Sequence, residues 1–248
     1  MEGLFSHAGF EQPISFDAFA SGEIAVLDRN GTRLLLYRSD EGAHRAPGAF
    51  NALHCRCRDG QILLLGKDGL LRRIRIDGAP VGEVRVRAGA VNLAVDKAGN
   101  IVVSYGRAGV AEHGTILERF GPSPVTHADP ILSDATALAT ESGGIWIGGT
   151  GAPAPAARMV MVRPTAEGFA AHLTVGLKAP PRSAAVGPDG ALYVLLEPGE
   201  KLVRAFGGET TAQYDLDEPL IEIGRVATRL VGCGPRGFCD LTEFVPRP

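Results

Sequence analysis

Two short stretches carry the residue types of general acid–base chemistry. Glu112-His113 and His127-x-Asp129 each set a histidine beside a carboxylate, and a histidine so placed takes or gives a proton near neutral pH. If the chain is an enzyme, His113, His127 and Asp129 are therefore its candidate catalytic residues. Adjacent residues on an extended chain point to opposite sides, so Glu112 and His113 need not cooperate. No Gly-x-Ser-x-Gly elbow, Walker loop or His-Glu-x-x-His pair is present. The four cysteines fall as Cys55-Arg56-Cys57 and as Cys233 and Cys239. Neither pair has the spacing of about two to four residues usual between zinc ligands. They are expected as buried free thiols, with a Cys233–Cys239 hairpin disulfide as the alternative, and no metal site is assigned.

Whatever chemistry the chain has must be held by strands, because the sequence is a repeat. Aligned on a turn glycine that precedes an apolar run, six copies are found: Gly22-Glu-Ile-Ala-Val-Leu, Gly60-Gln-Ile-Leu-Leu-Leu, Gly99-Asn-Ile-Val-Val-Ser, Gly143-Gly-Ile-Trp-Ile-Gly, Gly190-Ala-Leu-Tyr-Val-Leu and, more weakly, Gly237-Phe-Cys-Asp-Leu-Thr. The spacing is one four-stranded antiparallel unit per copy. The expected fold is all-β, a six-bladed β-propeller forming one domain over residues 1–248. Outer strands are expected at 82–86, 169–175 and 211–216, and a last strand at 243–245. The sixth copy then lacks a strand, and Leu4 to Phe10 is expected to supply it by pairing in the last blade, which would remove an exposed edge. The segments 121–134 and 149–157 read as Pro/Gly-rich loops inserted within blades. Trp146 and Tyr193 share one column and are expected to pack between blades.

Composition agrees. Of 248 residues, 45% are apolar and 21% charged, and 33 Gly with 17 Pro suit a domain of many tight turns. A net charge of −3 gives no general attraction to phosphate backbones. The basic cluster from Arg56 to Arg87 reads as the solvated face of outer strands, so nucleic acid is not an expected partner. No run approaches the about 18 apolar residues of a membrane span, and Met-Glu-Gly-Leu-Phe-Ser-His lacks the features of a signal peptide. A soluble monomer in the cytoplasm is expected, with a periplasmic or secreted location open if a leader was removed.

Leu93-Ala-Val-Asp-Lys-Ala-Gly-Asn-Ile-Val-Val103 and Ala185-Val-Gly-Pro-Asp-Gly-Ala-Leu-Tyr-Val194 resemble the repeat of NHL-type propellers, SMP-30/gluconolactonase-like proteins and streptogramin lyases. The resemblance spans nearly the whole chain and implies a propeller, an architecture shared by binders, scaffolds and enzymes. It implies for gluconolactonase-like members a divalent cation, such as Ca or Mg, held by oxygen ligands just before the inner strand of the repeat. Eight positions before each turn glycine stand Ile14, Ala52, Val91, Ala135, Arg182 and Arg229. One position later stand Ser15, Leu53, Asn92, Thr136, Ser183 and Leu230, among which only Asn92 matches the family's ligand asparagine. A cation would lack a charged first shell there, so no cofactor is expected. Arg182 and Arg229 with Asn92, Thr136, Ser183 and Ser15 would instead form a positive polar ring for a carboxylate or phosphate. The sequence thus points to a non-catalytic binding or scaffolding propeller for a protein, a peptide or a small anionic ligand. The alternative is a lactonase- or streptogramin-lyase-like enzyme using the loop histidines, with a divalent cation.

Overall fold

A computed structural model describes residues 9–38, 42–48, 50–121, 124–128, 132–141, 143–151, 156–165 and 168–246. The chain is all-β and folds as a six-bladed β-propeller whose sheets are antiparallel meanders in sequence order. Its contacts divide it into two units, Met1–Val86 with Gly187–Asp189 and Leu220–Pro248, and Arg87–Val186 with Gly190–Pro219.

The first unit holds three blades. Blade 1 is β1 (Ser15–Ala18), β2 (Ile24–Asp28), β3 (Arg33–Arg38) and β4 (Gly42–Arg45); blade 2 is β5 (Ala52–Arg58), β6 (Gln61–Gly66), β7 (Leu70–Arg75) and β8 (Pro80–Arg85). The second unit holds blade 3, with β9 (Ala90–Val95), β10 (Ile101–Tyr105), helix α1 (Arg107–His113), β11 (Leu117–Phe120) and β12 (Val125–His127). Blade 4 is β13 (Ala137–Glu141), β14 (Gly144–Gly151), β15 (Ala156–Pro164) and β16 (Phe169–Leu177), and blade 5 is β17 (Pro181–Val186), β18 (Leu192–Leu196), β19 (Lys201–Phe206) and β20 (Glu209–Asp215). Blade 6, in the first unit, has β21 (Glu222–Val226), β22 (Arg229–Gly234) and β23 (Gly237–Asp240), three strands among the described residues.

Alternation of side chains across each pleat gives every blade two apolar faces, so cores form between successive blades rather than within one. In the first unit Ala25, Leu27, Leu34 and Leu36 of blade 1 pack on Cys55, Ile62, Leu64 and Ile74 of blade 2, while Phe16, Ile24 and Tyr37 meet Val231, Cys233 and Phe238 of blade 6. In the second unit Trp146, Met159 and Met161 of blade 4 pack on Leu192, Val194 and Val203 of blade 5. Trp146 is thus an inter-blade packing residue, and its indole N–H donates to Glu141 at 3.1 Å.

The repeat glycines have a backbone cause. Gly22, Gly60, Gly99, Gly143 and Gly190 join the first and second strands of their blades, and all have positive φ, from 73° to 98°, where a Cβ would clash with its own backbone. In blade 6 that turn is only Ala227-Thr228, with Ala227 at φ 53°. Gly237 belongs to the following turn, between β22 and β23. The sixth copy read from the sequence is therefore displaced by one strand.

Other expectations shift in detail. Residues 242–244 form a 3-10 turn instead of a strand, because Thr242 N–H is held by the Asp240 carboxylate and Phe244 N–H by Leu241 O. The segment 121–134 contains β12, the outermost strand of blade 3, and the described residues of 149–157 extend β14 and β15. The expected pairing of Leu4 to Phe10 lies outside the described residues apart from 9 and 10. Phe10 stacks edge-on against Phe238 at 5.1 Å and Tyr37 at 5.4 Å. The next residues are pinned by Asp28, a fully buried carboxylate that accepts the Glu11 and Gln12 N–H groups and pairs with Arg33. All four cysteines are free thiols.

Candidate functional site

The first strands of neighbouring blades are tied by polar side chains reaching into the next blade's main chain. In the first unit Glu222 on β21 accepts the Phe16 N–H of β1 at 2.6 Å, and Asp17 on β1 accepts the Cys57 N–H of β5 at 2.7 Å. In the second unit Asn92 on β9 donates to Thr136 O at 2.9 Å, Ser104 on β10 donates to Ala135 O at 2.6 Å, and Thr136 donates to Pro181 O at 3.0 Å. Each bond satisfies a main-chain group that the inter-blade gap would otherwise leave without a partner.

One group of these residues is chemically denser than the rest. Ser15, His54, Arg56 and Glu222 come from β1, β5 and β21, and their exposures fall between 1% for Ser15 and 15% for the Arg56 side chain. His54 Nδ1 lies 3.0 Å from Ser15 Oγ, and its Nε2 lies 3.3 Å from Glu222 Oε1. Burial, with Arg56 adding to it, holds the imidazole well below its ordinary value of 6.5, and in the tautomer protonated on Nε2 its N–H faces the carboxylate. Ser15 Oγ then donates to Nδ1 and accepts the Cys55 N–H at 3.2 Å. Burial raises the carboxyls of both Glu222 and Asp17 against the pull of Arg56, and it pushes the Cys55 thiol up to about 12.

The connectivity is that of a serine–histidine–carboxylate relay, but Ser15 is 1% exposed and no substrate carbon can reach its oxygen. As built, the trio positions Glu222 and Arg56. Arg56 is anchored through Nη1 alone, to Cys55 O at 2.8 Å, Glu222 Oε1 at 3.1 Å and Phe16 O at 3.4 Å.

Of the residues expected in a positive ring, Ser15 and Arg229 belong to the first unit and Asn92, Thr136, Arg182 and Ser183 to the second. Ser15, Asn92 and Ser183 are buried at the starts of β1, β9 and β17, while Thr136 is exposed and bonded to Pro181 O. Arg182 sits at a bulge of β17 and donates to Pro198 O at 2.9 Å. Arg229 stands at the turn end of blade 6, opposite Val226, and pairs with Asp240 at 2.8 Å. That is the far end of the blade from Glu222, a direct result of the displaced sixth copy. Ile221 N–H bonds Cys233 O as Ile14 N–H bonds Leu27 O, and Glu222 pairs with Cys233 as Ser15 pairs with Leu27. Ile221 and Glu222 therefore occupy the columns assigned to Arg229 and Leu230. The missed signal was a step of 38 residues from Gly190, equal to that between Gly22 and Gly60, which ends at Thr228.

The loop histidines lie on blade 3. His113 ends helix α1, so the argument from extended-chain alternation does not apply to Glu112 and His113. His113 packs edge-on against Tyr105 at 4.8 Å, and its Nδ1 accepts the Thr115 N–H at 3.2 Å. Nearby Tyr105 bonds Glu118, with Arg87 3.6 Å from the same carboxylate. His127 on β12 stacks against Phe169 at 5.9 Å, and Asp129 lies outside the described residues. Among the described residues no three His, Cys, Asp or Glu side chains are grouped to hold a metal ion, and no helix is long and apolar enough to cross a membrane.

No family model matches the chain, and no curated protein matches it. Among solved structures it is similar to a gluconolactonase of Xanthomonas campestris, with a TM-score of 0.72 and 15% identity over 95% of this chain and 86% of that one. It is also similar to virginiamycin B lyase of Staphylococcus aureus, with a TM-score of 0.63 and 13% identity over 89% of this chain and 77% of that one. The WD40 propeller domain of Doa1 gives 0.62 and 10% identity over 96% and 95%. At such identities the likeness is one of fold, which agrees at the level of architecture with the resemblance to gluconolactonase-like and streptogramin-lyase propellers.

Proposed function

We propose that the chain is a non-catalytic binding propeller that recognises a protein, a peptide or a small anionic ligand. The observation that carries this reading is the engagement of the first-strand polar groups. Asn92, Thr136, Asp17 and Glu222 hold neighbouring main chains, and the relay-like trio seen among the described residues has its serine sealed. Side chains engaged in this way hold a rigid surface in register; a catalytic group must instead meet the reacting atoms. The test is turnover of aldonolactones and of a streptogramin by purified protein, before and after chelation. No turnover above background is expected in either state, and chelator-sensitive hydrolysis or elimination would sink the reading.

A second reading is supported by the cluster of Tyr105, Glu118, Arg87 and His113 and by the fold shared with lactonases and streptogramin lyases. In it, His113 serves as a base and a divalent cation as cofactor. Loss of turnover in His113→Ala with an unchanged melting temperature would favour it.

A further inference from the structure

Arg56 has an unusual arrangement of partners. A guanidinium beside a carboxylate commonly bonds it through two parallel N–H groups. Here Nη1 alone takes Glu222 together with Cys55 O and Phe16 O. Nε and Nη2, the pair that forms a two-toothed fork, have no hydrogen-bond partner among the described residues, and neither belongs to the unpartnered polar atoms sealed from solvent. The side chain keeps 15% exposure. A cation whose stem and one nitrogen are fixed, with its fork open, is a preorganised receptor for two oxygens of an anion, because little rotamer entropy is left to lose on binding.

We propose that Arg56, on the first strand of blade 2, is the binding residue for a small oxyanion, a carboxylate or a phosphate, which its Nε and Nη2 groups hold bidentately. This rests on the binding reading above and gives it a residue. The charged and titratable groups around Arg56 are Glu222 from β21, Asp17 from β1, His54, Cys55 and Cys57 from β5, and Cys233 from β22. Burial keeps His54 and the three thiols neutral. The two acids are what opposes an incoming anion, and burial raises both toward protonation. Protonation of either acid therefore favours anion binding.

The experiment is calorimetric titration of the full chain with acetate and with inorganic phosphate at pH 7.5 and 5.0. The proteins compared are wild type, Arg56→Lys, and the double variant Arg182→Met/Arg229→Met. Lysine keeps the charge and loses the fork, so Arg56→Lys is expected to bind at least about tenfold more weakly, in line with the loss of one bidentate contact. Wild type and the double variant are expected to bind alike at each pH. Circular dichroism confirms that each variant is folded; if Arg56→Lys is not, Arg56→Gln replaces it. Equal affinity of wild type and the Arg56 variant overturns the assignment, as does the absence of saturable binding of either anion by wild type. Binding lost in the double variant alone moves the site to Arg182 and Arg229 and leaves the binding reading intact. Turnover in the lactone assay with anion binding still dependent on Arg56 removes the binding reading and leaves the anion site.

Discussion

Removal of Glu222 should be among the most damaging single changes in the protein. Its carboxylate is 5% exposed, lies 3.1 Å from Arg56 Nη1 and 3.3 Å from His54 Nε2, and accepts the Phe16 N–H at 2.6 Å. Glu222→Gln keeps the shape and an acceptor for Phe16 but leaves Arg56 buried without its anion, a situation that costs about 3–5 kcal/mol. Glu222→Leu also orphans the Phe16 N–H, for about 1–3 kcal/mol more. Arg56→Met should cost about as much as Glu222→Gln, by the mirror of the same argument. The double variant Glu222→Leu/Arg56→Met leaves no unpaired charge, so its loss should fall short of the sum of the singles by about 2 kcal/mol. At about 2–4 °C per kcal/mol for a chain of this length, Glu222→Gln should lower the melting temperature by roughly 6–20 °C. The assay is urea unfolding of wild type and the four variants followed by circular dichroism. Strict additivity, or a Glu222→Gln loss under about 0.5 kcal/mol, would show that the network contributes no coupled stability at the junction of blades 6, 1 and 2.

Three further outcomes follow from the same structure. His54 is held neutral by burial, so its proton is taken up by the unfolded chain first, and its contribution is intact above its ordinary value of 6.5 and lost as pH falls below it; wild-type stability should fall by up to about 1.4 kcal/mol per pH unit there, and His54→Gln should flatten that slope in denaturant titrations from pH 7 to 5. Gly31→Ala should cost about 2 kcal/mol or more, because φ is +89° and a Cβ would sit 1.9 Å from Ala52 O; Gly22→Ala, with similar φ and open space around it, should cost only about 1 kcal/mol, and equal losses in thermal melts would refute the steric argument. Asn92→Leu removes the donor to Thr136 O and the acceptor for Leu93 N–H, and about 2 kcal/mol should be lost in urea unfolding, with Asn92→Asp intermediate because it keeps the acceptor.

The architecture could be read without coordinates because it follows from local chemistry. Five glycines recur where a first strand turns into a second, and each adopts a φ closed to other residues, so the backbone requirement is written in the sequence. The apolar run after each glycine is equally visible, since a strand buried on both faces is apolar along most of its length. Blade 6 breaks the rule at one point. Its first turn is two residues long and uses Ala227, so alignment on glycine slid one strand along the chain and placed Arg229 where Glu222 belongs.

That slip hid the candidate site, and no local pattern could have restored all of it. Ser15, His54, Arg56 and Glu222 are separated by up to 207 positions in the chain, and their partnership exists only because β21, β1 and β5 lie side by side. Arg56 read alone is one cation in a basic stretch. Which of its nitrogens are engaged, and which remain open, depends on two main-chain carbonyls and a carboxylate from another blade. The sequence by itself determined the repeat, the turns and the apolar faces, which depend on each residue and its near neighbours. The tertiary structure decided which polar side chains are buried, what they pair with and how they are charged, because those properties are set by groups that meet only when the blades pack.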